Sequence, residues 1–129
     1  MTCFWDGILQ ALDTSDFQVV GCNNRLNRRQ LIDLLKNNNV EIEDVTWNGK
    51  KLTKQEMKEH YEAIKEYNIN GIQQGHLCSS CDSFLLLICQ VFNVNIKHLY
   101  MNVNIEYTNE KVQRKTLKFA SNGGHFWKN

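Results

Sequence analysis

Apolar side chains recur at helical spacing as far as Phe92 and at every second residue after Asn93, so the chain must pack helices against a sheet. Phe4, Ile8 and Leu12 fall at i, i+4 and i+8, with Trp5 and Leu9 on the same stripe. That spacing predicts a helix over 1–12, with Thr2 as its cap and Cys3 in its first turn. Leu31, Ile32, Leu34 and Leu35 predict a second helix over 27–36. Thr53 and Glu56 form a capping box ahead of Met57, Tyr61, Ile64 and Tyr67, which predicts a third. The turn-rich stretch 71–75 breaks the pattern, and Asp82 or Ser83 is then expected to cap a buried helix ending at Phe92, because the run 84–89 is apolar throughout. Val94 and Ile96, and then Val103, Ile105 and Tyr107, alternate with polar residues as strands do. A turn over 108–111 leads to a strand holding Leu117 and Phe119, and Asn122-Gly123-Gly124 precedes His125-Phe126-Trp127. The expected fold is α+β, with N-terminal helices on a small, mostly antiparallel sheet. With no repeat and no linker, 1–129 forms one domain.

The formal net charge is +1, and 42% of residues are hydrophobic against 22% charged, the balance of a globular domain. No basic field points to nucleic acid or to an anionic membrane. The densest cationic cluster, Arg25, Arg28 and Arg29, reads as a solvated face. The longest apolar run is too short to cross a bilayer. Five cysteines without a visible secretory signal predict free thiols in a reducing, cytoplasmic setting, and the chain is expected to act as a monomer. Proline is absent and asparagine abundant, a bias that AT-rich coding in viral or parasite genomes produces.

Two residues have the chemistry of a hydrolytic pair. A thiol attacks only as thiolate, and the free N–H groups and dipole of a helix start favour that anion. Cys3 is expected at such a start; Cys89, amid apolar neighbours, reads as a structural cysteine. A helix-start cysteine alone is more often structural than catalytic, and a histidine near a chain end is more often a surface residue. The combination of Cys3 early and His125 late, held between glycines and aromatics, points instead to a nucleophile and its base.

The stretch Thr2-Cys3-Phe4-Trp5-Asp6-Gly7-Ile8-Leu9-Gln10-Ala11-Leu12 resembles the cysteine box of papain-like deubiquitinases and viral leader proteases. The remainder resembles the ovarian-tumour (OTU) group: a tyrosine-bearing helix (Tyr61, Tyr67), a Gly-rich loop, an apolar helix, a strand and a closing His-aromatic pair, His125-Phe126. The resemblance implies a papain-like fold in which Cys3 attacks the carbonyl after the C-terminal glycine of ubiquitin or a ubiquitin-like modifier. His125 would activate the thiol and protonate the leaving amine, with no cofactor and no metal. Phe4, Trp5, Phe126 and Trp127 would either wall a channel for the Gly-Gly tail or pack in the core, the favoured role for Phe4, and Glu41, Glu43 and Asp44 would either pair with the tail's arginine or form a solvated acidic loop. Two departures are visible. Only Met1 and Thr2 stand ahead of Cys3, where the family usually carries Asp-Gly-Asn, so the loop that helps form the oxyanion hole is expected to be truncated or replaced. Trp127 stands where many members place an orienting Asn or Asp; Asn122 and Asn129 are the nearest polar alternatives, leaving packing by Trp127 to orient the base.

Three other readings compete. A non-catalytic member of the same fold would bind ubiquitin without cleaving it. His76-x-Cys78-x-x-Cys81 has zinc-ligand spacing, with Cys22 or His60 as a fourth ligand, and would make an interaction module. Without a second such pair, the expectation is no zinc. His60-x-Glu62 followed by Cys78 and Cys81 mimics zinc nucleobase deaminases, but Leu77 replaces their proline and the intervening span is short.

Overall fold

The fold is described from a computed structural model, covering residues 3–71 and 81–129. Its elements are α1 (Cys3–Ala11), α2 (Thr14–Val19), α3 (Arg28–Asn37), β1 (Val45–Trp47), β2 (Lys50–Lys51), α4 (Lys54–Glu66), α5 (Cys81–Phe92), β3 (Asn95–Tyr100), β4 (Val103–Asn109), β5 (Thr116–Ser121) and β6 (Phe126–Lys128). The class is α+β, as expected. The strands form one sheet in the order β2-β1-β4-β3-β5-β6. Every neighbouring pair is antiparallel except β3 with β5.

The helix starts follow their caps. Thr53 accepts from the Glu56 amide while Glu56 reaches back, as the sequence predicts, and Asn27 with Gln30 builds the same box for α3. One correction concerns α5, which begins at Cys81. Asp82 and Ser83 therefore lie inside its first turn, where their side chains bond Tyr107 and His60 instead of capping. Two pieces depart from the sequence reading. The short α2 has its own capping box, Asp13 with Asp16, and buries Phe17. β1 and β2 form a hairpin around Asn48 and Gly49, at φ of 49° and 80°.

Residues 84–89 are fully buried, so α5 is the central core element, packed on β1, β3 and β4. α1 packs on β5 and β6. β5 lies beside β3 on the side away from β4, so the chain between β4 and β5 must cross the end of β3. Arg114 and Lys115 pin that crossing: both reach the buried Asp16 carboxylate, at 2.8 Å and 2.7 Å, and Arg114 also donates to the Phe92 carbonyl. Two members of the cationic cluster, Arg25 and Arg28, are likewise engaged and not merely solvated. Arg25 donates to the Leu9 and Leu12 carbonyls at the end of α1, and Arg28 pairs with Asp6 at 2.6 Å.

Candidate functional site

Cys3 opens α1, and its side chain is buried, with 9% of its surface exposed. The rest of α1 fixes where that end lies. A Cβ on Gly7 would meet the Phe126 ring at 2.9 Å and the Trp127 Cα at 3.5 Å, so helix and strand backbones touch there. One turn on, Ala11 shares a surface hollow with Lys128 and Asn129. Four helical residues rise about 6 Å and two strand residues about 6.6 Å, so α1 and β6 advance in step and in the same direction. The same interval back from Gly7 and the Phe126–Trp127 peptide runs the Cys3 turn toward the end of β6 that His125 precedes, while the His125 ring lies with Trp127 on the side away from α1.

His125 is exposed and sits at the close of a tight turn. The Asn122 carboxamide oxygen accepts the amides of Gly124 and His125, both at 2.9 Å. The Asn122 amide in turn donates to the His125 carbonyl at 2.9 Å. Asn122-Gly123-Gly124 is thus a side-chain-closed turn. Residues two apart on a strand share a side, and the His125 ring stacks on Trp127 with centroids 5.4 Å apart and planes 19° from parallel. Asn129 donates its amide to Lys118 and closes the strand pairing.

Phe126 points the other way and is the hub of the local core. It packs on Phe4 at 4.8 Å, on Phe119 at 5.1 Å and on His98 at 5.4 Å. His98 is itself buried and shares a 2.6 Å hydrogen bond with Ser121, the residue ahead of the turn. Of the two roles open to the aromatics, core packing holds for three, including Phe4 as expected, and the four-residue channel wall is not formed. Phe4, Trp5 and Phe126 are at most 2% exposed and belong to the core, and only Trp127, at 37%, meets solvent. Trp5 instead donates to the Tyr67 hydroxyl, tying α1 to the end of α4.

The acidic trio is also displaced. Glu41, Glu43 and Asp44 precede β1, four strand spacings or about 19 Å from β6 across the sheet. Asp44 is held there by both its amide and its carboxylate on the Gln90 carboxamide. They are not neighbours of His125.

His76 and Cys78 lie outside the described residues, as do Thr2, the proposed cap, and most of the 71–75 break. Among the described residues no cluster of three or more His, Cys, Asp or Glu is placed to hold a metal ion. His60 bonds Ser83 at 2.8 Å and lies beside Trp47, and burial holds its pKa below the usual histidine value. Glu62 and Cys22 are partly exposed. Cys89 is the structural cysteine the sequence suggests: buried, its thiol driven far above the usual range by desolvation. Among the described residues no helix is long and apolar enough to cross a membrane.

No protein-family model matches the chain, and no curated protein or solved structure shows significant similarity to it.

Proposed function

We propose that the chain is a thiol-dependent deubiquitinase of the OTU type. It would hydrolyse the bond after the C-terminal glycine of ubiquitin or a ubiquitin-like modifier, in the cytoplasm. The reading is supported by the advance of α1 along β6, Gly7 against Phe126 and Trp127 and Ala11 beside Lys128 and Asn129, which runs the Cys3 turn toward the end of β6 that His125 precedes. A helix start supplies N–H groups for a thiolate; the His125 ring, which lies with Trp127 on the side of the strand away from Phe126 and α1, would have to turn toward the thiol to accept its proton. Cys3 attacks the carbonyl carbon as its proton passes to His125. The amine leaves carrying that proton, and water, deprotonated by His125, releases the modifier from the thioester.

The burial of Cys3 favours one alternative, a domain of the same fold that binds the modifier without cleaving it. A ubiquitin bearing an electrophile in place of its C-terminal carboxylate separates the two. The enzyme reading predicts an adduct one ubiquitin heavier, mapped to Cys3, abolished by Cys3→Ser and strongly slowed by His125→Ala. Binding without an adduct would establish the alternative. An adduct at Cys22, Cys78, Cys81 or Cys89 would move the active site and overturn the assignment.

A further inference from the structure

We infer that the tip of the β3–β4 hairpin, Tyr100-Met101-Asn102-Val103, is the surface on which the folded body of the modifier docks. The inference rests on the reading of the chain as a protein that takes the modifier's tail beside α1. Tyr100, Met101 and Val103 are 40%, 61% and 57% exposed. Among the described residues seven large apolar side chains are exposed, and three of them fall within these four positions. Single apolar side chains on a surface need no explanation, but a contiguous group marks a contact surface.

The backbone supplies a second observation. Met101 and Asn102 have φ of 47° and 70°, both left-handed, and Tyr100 faces Val103 across the turn. Such a turn favours Asn-Gly, the pair this chain uses at 48–49, and a bulky side chain in its first position is an outlier. Methionine is therefore unfavourable at 101 in both backbone conformation and exposure, and residues held in this way cluster where ligands are met. Its flexible, polarisable side chain suits a surface that adapts to a partner.

The sheet register sets the tip at the end toward which the Cys3 turn runs. Tyr100 lies beside Ser121, Ser121 lies opposite Phe126, and the Met101 amide donates to the Ser121 carbonyl at 3.1 Å. Tyr100 shares its side of β3 with His98, which packs on Phe126, so Tyr100 and its partner Val103 are on the face that carries α1. β3 stands two strand spacings, about 10 Å, from β6.

Size selects the occupant. A stable interface takes about 20–30 residues a side, so a hairpin tip is too small to hold a second copy of this chain or an untethered partner. It is large enough for a partner already held at a second point, because the tether makes the further contact intramolecular. The modifier, held by its tail, is such a partner. The patch it presents to the tip is expected to be apolar and uncharged, since 100–104 carry no charge.

The test uses the full chain with Met101→Gly and Val103→Thr combined. Glycine suits the left-handed turn and threonine the strand, so thermal unfolding should keep its native midpoint or rise above it. On a ubiquitin C-terminal fluorogenic amide, KM should rise about tenfold at unchanged kcat. A short peptide amide ending in the same Gly-Gly tail should keep its native kcat/KM to within about twofold. Titration of isotope-labelled ubiquitin with the Cys3→Ala chain should give a Kd about tenfold weaker once the two hairpin substitutions are added. An unchanged KM, an equal loss on the peptide amide, or native self-association abolished by the same substitutions would overturn the inference. Absence of turnover on both substrates would sink the hydrolase reading alone. The titration would then decide, with an unchanged Kd or no binding of ubiquitin counting against the docking surface.

Discussion

Asp16 is a buried carboxylate that ties the β4–β5 crossing to α2, and Asp16→Ala measures its contribution. Its carboxylate is wholly buried, yet it receives Arg114 at 2.8 Å, Lys115 at 2.7 Å and the Asp13 amide at 2.8 Å. Removing one partner of a buried ion pair costs about 3–5 kcal/mol because the other charge is left uncompensated. Here the stranded cations are 25% and 30% exposed, so water restores part of their solvation and the cost falls below that range. The loss of half a capping box adds about 1 kcal/mol. The net expectation is a loss of about 3 kcal/mol, a large share of the 5–15 kcal/mol typical of a domain. Urea unfolding should report it as a lower midpoint at unchanged slope. Because the carboxylate is out of solvent, most of the difference should persist at about 1 M salt, where the screening length is near 3 Å. A loss below about 1 kcal/mol, or one that vanishes in salt, would show that the crossing between β4 and β5 is not pinned by this cluster.

Gly7→Ala should destabilise the chain by about 1–2 kcal/mol, since helix propensity returns up to about 1 kcal/mol but overpacking costs 1–3. The Phe126 ring at 2.9 Å is wedged among Phe4, Phe119 and His98 and cannot yield, so thermal unfolding should show the loss; a stabilised variant would disprove the helix–strand contact. His60 has a folded pKa depressed by burial, so the unfolded chain binds the extra proton first as pH falls below about 6.5. Stability should therefore drop on acidification through that window, and His60→Gln should flatten this part of the profile measured by denaturation. Metal analysis of purified protein should give far less than one zinc per chain; stoichiometric zinc, lost together with the fold in Cys78→Ser, would promote the interaction module.

The sequence disclosed the helices that carry apolar stripes and the strands that alternate, because burial on one face imposes those periods directly. It disclosed the box at Thr53 for the same local reason: capping involves residues three apart, so no tertiary contact is needed to see it. α2 and the β1–β2 hairpin escaped because each is too short for a period to develop. Asn48-Gly49 was nevertheless a readable sign, since a two-residue loop with both φ values positive selects that pair. The position of the acidic trio was not readable. It depends on strand order, and β1 pairs with β4, which follows it by more than fifty residues.

The site divides along the same line. A cysteine in the first turn of a helix and a histidine after two glycines are local features, readable without any tertiary contact. What lies around them is set by the sheet. Phe126 turns inward because Ser121, its register partner on β5, faces the core, which leaves Trp127 and not Phe126 to meet the solvent beside His125. Pleating thus converts one of two adjacent aromatics into core and the other into a support for the imidazole. A sequence reading can count aromatics near a histidine but cannot assign them sides until the register is known, and a slip of one residue would exchange their roles.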